Sequence, residues 1–485
     1  MGLPAATVAE LDSSTDGTVY KTHWFRSSYF QAFVLGLASF CCPGIWGAMA
    51  NLGAGGLQSA STGNAATAVT FALMVFTCLL GSPLLGKFGP RICLILGTYG
   101  YAPYAAGLYC NSKFGTQWGV IFGAACCGLS AGIFWATEGT CIATYPEPER
   151  RGRAIALWFS INQLGSVLGG AVNLALNVKL NKIGGISVNT YAVFIAIQCL
   201  GPGVALLLSN PSQVQRKDGR KPLITTNKLG FFGELKATVS LWKRPTNWIL
   251  GVLFFMTQWG SGSTGYYLAT YFTVRSRALS SLCTALLSQS LIYALGAWSD
   301  NTRFSVRFRA TTTAAVLMVG LGYSWIHFLV NQYDYSRREV APVFDWSQGG
   351  IWFGAWFPVV AQSLFSQLLY NWLYWVVAFL ATGEEQGRQV ATMRSVESLS
   401  STLTYGVSAA AIPHINLVGA SLAIYISGIP AVIFAVLHVS RREEHGLNVL
   451  AATEETEQAE AIEEKGSVAS LGFGLREGVQ VAKRC

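Results

Sequence analysis

The chain has 485 residues, of which 52% are hydrophobic and only 12% charged, with 52 glycines and a net charge of +9. So little polar area excludes an ordinary water-soluble fold. The positive charge does not point to nucleic acid, because the basic residues sit in short links between apolar stretches, where they report membrane topology.

In chain order, residues 1–27 are polar and lack the apolar core of a cleavable signal, so the first helix is expected to serve as its own insertion signal. Apolar stretches follow at 28–50, 65–85, 92–110, 118–143, 154–176 and 188–208, then at 248–272, 279–298, 310–330, 352–380, 395–413 and 417–439. At ~1.5 Å of rise per residue such stretches are long enough to cross a hydrocarbon layer of ~30 Å. Lipid offers no partner to a backbone N–H or C=O, so each must be helical. The prediction is an all-α membrane protein with twelve transmembrane helices in two six-helix half-bundles, 28–209 and 246–440. A basic linker over 210–245 joins them, with a solvated cytoplasmic role or contact with anionic lipid as its two readings. The tail from 441 to 485, rich in glutamate and poor in apolar residues, is expected to be mobile and cytoplasmic.

If the N-terminus is cytoplasmic, 26 of the 33 Lys and Arg fall on that side, which fits an even number of spans and both ends inside. The cysteines lie within or beside apolar segments and read as packing residues. The five histidines have no metal spacing, no nucleophile elbow appears, and Phe88 stands where a nucleotide phosphate loop needs Ser or Thr. No catalytic residue, metal site or cofactor is expected, and the chain does not read as an enzyme.

Two six-helix halves suggest duplication, and corresponding links bear comparison. The first, Gly86, Lys87, Phe88, Gly89, Pro90, Arg91, and the second, from Gly296 through Asp300 to Arg303, Arg307 and Arg309, resemble the cytoplasmic signature of the major facilitator superfamily. The first link has Gly86 where that signature usually has aspartate, so the gate charge there is in question, and a plain topology-fixing turn stays an alternative for both. The candidate cytoplasmic gate residues are Lys87, Arg91, Arg153, Asp300, Arg303, Arg394 and Glu397; exposed ion pairs of up to ~1 kcal/mol are weak enough to break during rocking.

A more specific resemblance runs from Phe134, Trp135, Ala136, Thr137, Glu138, Gly139 through Tyr145, Pro146, Arg151, Gly152, Arg153 and Trp158 to Gly165, Gly169, Gly170 and Asn173, with Asn51, Leu52, Gly53, Ala54, Gly55, Gly56 after the first helix. This is similar to the uncoordinated-93-like family of the major facilitator superfamily. The resemblance implies the major facilitator fold, a central site between the first, fourth, seventh and tenth helices, and no defined substrate. The run Gly165, Ser166, Gly169, Gly170 also resembles the superfamily's antiporter motif, although Ser166 and Ile161 depart from it; close helix packing is the simpler reading there, as for Gly119 with Gly123 and Gly128 with Gly132.

Glu138 is the clearest intramembrane acid. A carboxylate among Phe134, Trp135 and Cys141 costs a few kcal/mol at mid-membrane, so it should face the bundle interior, with Arg153 or Arg394 as partner. Proton coupling, solute contact and a structural ion pair all fit. Asn162, Gln163, Asn173, Gln258, Gln289, Gln362, Gln367 and Asn371 are further candidates for a polar cavity, since amides unpaired in lipid are costly, although hydrogen bonds between helices explain any one of them. In the tenth segment, Trp352, Trp356, Trp372, Tyr374 and Trp375 read as an amphipathic turn with an aromatic belt, or as a stacking surface for a sugar or other ring-containing solute.

The functional expectation is a secondary transporter of a small solute working by alternating access, with protons as candidate coupling ion. The alternative is a non-transporting regulator of an ion channel or other membrane partner, as the family name suggests. The lipid bilayer is the one partner that composition itself requires.

Overall fold

The computed structural model describes residues 22–57, 59–147, 151–222, 229–299, 301, 303–380, 385–410 and 412–441. The tail expected to be mobile, and Asp300, lie outside them. The described chain forms twelve long helical rods. In the first half these are α1 (Ser28–Ala50), α2 (Ala60–Phe88), α3 (Pro90–Thr98, resumed as Tyr101–Phe114), α4 (Gln117–Thr144), α5 (Arg151–Asn177) and α6 (Val188–Ala205). The second half comprises α7 (Pro245–Tyr271), α8 (Val274–Ser299), α9 (Val306–Ser336), α10 (Gly350–Leu380), α11 (Glu385–Ala409) and α12 (His414–Arg441). Eight are long and apolar enough to cross a membrane by length and composition alone. The other four, α3, α7, α10 and α11, complete the two sets of six; α3 is broken at Tyr99–Gly100, and α11 carries Arg388, Arg394 and Glu397.

Local sequence sets the helix ends. The hydroxyls of Ser27, Ser59 and Ser305 accept the N–H of Phe30, Thr62 and Phe308 and so cap α1, α2 and α9. Gly89, at φ +77°, ends α2 in a conformation that glycine tolerates, and Pro90 at the first position of α3 has the φ a helix start requires. Pro43 removes one backbone donor inside α1, and the chain answers with a wide π turn over Phe40–Gly44. The expected amphipathic turn before the tenth span is not separate: α10 runs unbroken from Gly350 across Pro358.

The halves meet along two seams, α2 against α11 and α5 against α8. Counted in chain order, α8 is the counterpart of α2 and α11 that of α5, so each seam maps onto the other. This is the two-fold arrangement that a duplicated six-helix unit produces. Within the first half, α4 packs on α2 through the glycines picked out by their spacing. A Cβ on Gly128 would lie 2.3 Å from the Thr70 carbonyl, and one on Gly132 would lie 2.0 Å from Thr77 Oγ1. Gly165 and Gly169 bring α5 onto α1 in the same way, and Ser166 Oγ donates to the Gly44 carbonyl at 2.9 Å. Because backbone and side chain of α2 occupy this space, Gly132→Val is expected to cost about 3 kcal/mol of overpacking, the upper end of the usual range. Fluorescence-detected size exclusion after heating should show loss of the monodisperse peak; an unchanged melting profile would mean that α2 and α4 are looser than described.

The face that carries the start of α1 also carries the stretch between the halves, and is called the linker face below. There Glu147, just past α4, accepts from Ser28 Oγ and from the Lys217 backbone N–H, both at 2.8 Å, tying the start of α1 to the linker. A short helix, Gly230–Ser240, lies against α2 and α11, and its Glu234 takes two hydrogen bonds from Arg388, each 3.0 Å.

Candidate functional site

A cavity of about 850 Å³ lies between the halves, within the ~300–1,000 Å³ typical of small-molecule sites. From the first half it is lined by Trp46 of α1, Phe71 of α2, Trp135 and Gly139 of α4, and Trp158, Asn162 and Gln163 of α5; from the second by Gln258 of α7, Gln289 of α8, Gln362, Gln367, Asn371 and Tyr374 of α10, and Arg394 and Glu397 of α11. Towards the linker face it reaches Ile155 of α5 and Ser299 of α8. At the other end its lining stops at Asn51 and Ser280, beneath a seal.

The seal is built around Arg277, near the start of α8 and 1% exposed. Its guanidinium crosses to the first half and donates to three backbone carbonyls there: Leu52 at 2.7 Å, Gly53 at 2.8 Å and Gly184 at 2.9 Å. Leu52 and Gly53 lie just past the end of α1, where no helical N–H reaches the Leu52 carbonyl; the Gly53 carbonyl also accepts the Gly56 N–H at 2.9 Å. Gly53 has φ +73°, and a Cβ there would meet the Gly265 carbonyl of α7 at 2.4 Å, so glycine is required for the halves to touch. Beside it, Ser281 Oγ donates to Ala48 O at 2.9 Å, and the N–H groups of Val274 and Arg275 bond the carbonyls of Lys182 and Leu180.

A second cluster flanks the seal on the surface. Asp345, in the loop before α10, accepts from Arg275 through both carboxylate oxygens and from Thr273 Oγ1 at 2.6 Å. In the amide orientation that satisfies its neighbours, Asn181 of the first half sits between them, donating to Asp345 and accepting from Arg275. The Arg275 guanidinium holds the Asp345 carboxyl far below the usual carboxylate range; burial opposes this, and the Ser347 and Thr273 hydroxyls reinforce it. The contribution of a depressed carboxylate is complete above its unfolded value and fades only as pH falls through its lower folded one. The cluster therefore stays closed throughout the mildly acidic range, and only Asp345→Asn should open it there, as read by hydrogen exchange of the Asn181 loop at pH 5 and pH 7.

Inside the cavity wall, Arg394 donates to Glu397 at 3.2 Å, and Tyr374 OH donates to the other oxygen of Glu397 at 3.1 Å. The guanidinium lies 4.2 Å above the ring of Trp135, across the junction between halves, and 5.2 Å from those of Tyr370 and Tyr374. Such cation–π contacts strengthen when water is excluded. Arg394 and Glu397, expected at a cytoplasmic gate, thus sit within the cavity, more than two helical turns from the start of α11.

Glu138 is fully buried and lies behind the lining, not in it. One carboxylate oxygen, Oε1, accepts from Ser39 Oγ of α1 and from Trp158 Nε1 of α5, the latter at 2.6 Å; Oε2 has no hydrogen-bond partner. The expected pairing with Arg153 is not made, because Arg153 is exposed at the start of α5. Trp158, which does line the cavity, connects Glu138 to it.

The sequence of residues 29–336 matches the Major Facilitator Superfamily family model. The chain is 37% identical over 387 residues to notoamide biosynthesis cluster protein O' of Aspergillus versicolor, covering 79% of this chain and 83% of that protein. An UNC93-like protein of Schizosaccharomyces pombe is 28% identical, covering 82% and 80%, and UNC93-like protein 1 of Arabidopsis thaliana is 27% identical, covering 80% and 85%. The chain belongs to the UNC93-like branch of the major facilitator superfamily. Among solved structures, the peptide transporter POT in complex with sulfate superposes with a TM-score of 0.59 at 13% identity, covering 89% of this chain and 99% of that one. A POT family transporter in complex with 5-aminolevulinic acid gives 0.58 at 13%, covering 85% and 96%. These two show the facilitator fold.

Within that fold, Asn162, Gln163, Gln258, Gln289, Gln367 and Asn371 are brought together around one cavity. Asn173 is not among them: it is buried between α5 and α1, donating weakly to Ala48 O at 3.4 Å. On the linker face, Lys87 is exposed with its ammonium 5.3 Å from the Phe88 ring, Arg91 bonds the Leu208 carbonyl at 2.5 Å, and the Arg303 N–H bonds Asn301. Sequence reasoning missed Arg277 and placed it in an outer loop; its apolar neighbours in α8 were the available signal. Trp158 also escaped a role, although its indole N–H, brought back from the next helix to 2.6 Å from the carboxylate, is what orients Glu138.

Proposed function

We propose that this facilitator is a secondary transporter that moves a small solute by alternating access, with the linker face and both termini cytoplasmic, and that it carries out no chemistry on its cargo. One observation carries the reading: a solute-sized polar and aromatic cavity between two pseudo-equivalent halves, closed at one end by hydrogen bonds that cross from half to half and reaching the opposite face at its other end. A structure closed at one end and extended at the other is one of the two states that rocking requires. Arg277 acts as the outer latch, and Glu138, reached through Trp158, is the candidate proton carrier. Matches among UNC93-like proteins keep a regulator in view; a cavity of this size lined by amides from both halves supports transport over it.

The test is uptake by sealed vesicles containing the purified protein, offered a mixed solute extract with and without an imposed pH gradient and read by mass spectrometry. A solute that accumulates only with protein establishes transport. No accumulation of any solute by demonstrably folded protein overturns it and shifts the question to membrane-protein partners.

A further inference from the structure

We infer that the cavity takes an uncharged, ring-bearing solute, and that the Arg394–Glu397 pair enforces this by satisfying its own two charges. The inference rests on reading the cavity as the solute site. Among the described residues that line it, Arg394 and Glu397 are the only ones with formally charged side chains. They are bound to one another, the side chains are 15% and 6% exposed, and the other carboxylate oxygen of Glu397 accepts from Tyr374. The face of Arg394 is covered by Trp135. An entering charge would shed much of its hydration and find no free counter-charge, which is costly. An uncharged solute instead meets the amides of α5, α7, α8 and α10, each of which both donates and accepts, between aromatic walls that favour rings. Glu138 adds no counter-charge at the surface, since it lies behind Trp158.

This arrangement makes a prediction that shape alone does not. Removing one member of the pair exposes the other's charge to the cavity, so selectivity should change sign with the residue removed. Three fluorescent probes of one ring system serve: methoxycoumarin, its carboxylate and its aminomethyl derivative, titrated into purified full-length protein in nanodiscs against empty nanodiscs. Wild type should bind the neutral probe at least about tenfold more tightly than either charged one, one decade being 1.4 kcal/mol. Glu397→Gln, which keeps Arg394 on Trp135, should bring the carboxylate probe up by about tenfold and leave the amine excluded. Arg394→Gln should do the reverse. The double variant, with no charge left to strand, should restore the preference for the neutral probe and controls for any misfolding of the single variants.

Equal binding of charged and neutral probes by wild type, an unchanged ranking in the variants, or no binding of the neutral probe overturns the inference. Vesicle uptake separates this from the wider reading: accumulation of a charged solute would keep transport and discard the substrate class, whereas no accumulation of any solute would discard transport itself.

Discussion

Arg277→Ala is expected to turn the protein inside out: the population now sealed at the Arg277 end should open there. Hydrogen bonds from a charged group contribute about 1.5–3 kcal/mol each, so the three to Leu52, Gly53 and Gly184 represent about 4.5 kcal/mol at the low end. That is close to the ~5.5 kcal/mol separating a 99:1 from a 1:99 population. Alanine would also strand the Leu52 and Gly184 carbonyls in the seam, while Gly53 keeps the Gly56 N–H, and opening to water relieves this. Spin labels on cysteines replacing Lys179 and Glu339, exposed positions in the loops of the two halves on that face, report its width. The distance distribution should move to a longer component in Arg277→Ala and lie between the two in Arg277→Lys, whose ammonium can keep part of the carbonyl set. A distribution unchanged from wild type in folded Arg277→Ala protein would show that the close contact of Gly53 with Gly265, not the guanidinium, holds the halves together.

Glu138→Gln should separate coupling from transport. Oε1 already accepts both hydrogen bonds, from Ser39 and Trp158, while Oε2 has no partner. A glutamine can present its carbonyl oxygen to both donors and leave its amide nitrogen in the vacant direction, so α1, α4 and α5 stay joined while the titratable proton is lost. With a pH gradient of about one unit, one coupled proton supports accumulation of about tenfold. In the variant this accumulation should fall to equilibration, whereas exchange of labelled for unlabelled solute, which needs no net proton movement, should persist. Gradient-driven accumulation equal to wild type would assign Glu138 a purely structural role. Glu138→Ala, which breaks both hydrogen bonds, should instead lower stability by several kcal/mol, because the Trp158 and Ser39 donors are then buried without partners.

These two residues also show what a sequence of this kind reveals. The twelve spans and their grouping follow from the demand that backbone in lipid be helical, a demand written in every residue of α1 to α12. The glycine pairs of α4 and α5 were legible because close approach admits no Cβ. The eight amides and Glu138 were legible as costly groups in an apolar setting, but that cost states only that each must face something. It did not distinguish Gln289, on the cavity, from Asn173, packed between helices, nor select Trp158 over Arg153 as the partner of Glu138. Arg277 was hidden for a physical reason: counting basic residues treats charge as a mark of the surface, and the carbonyls that accept from this one come from the links after α1 and α5, whose approach to α8 is set by tertiary packing. Arg394 and Glu397 were misplaced for a related reason, since three residues of spacing indicate one helix face but not its depth.

The short helix Gly230–Ser240 has a geometric consequence for the passage itself. Resting on α2 and fastened to α11 by Glu234 and Arg388, it straps one seam at the linker face. The other seam has no such strap among the described residues, and there the lining continues out to Ile155 and Phe159 of α5 and to Leu295 and Ser299 of α8. Among the described residues the mouth is thus lopsided, like a door hung on one side, and its unstrapped jamb is the α5–α8 seam, where the lining side chains of Ile155 and Tyr293 are themselves exposed.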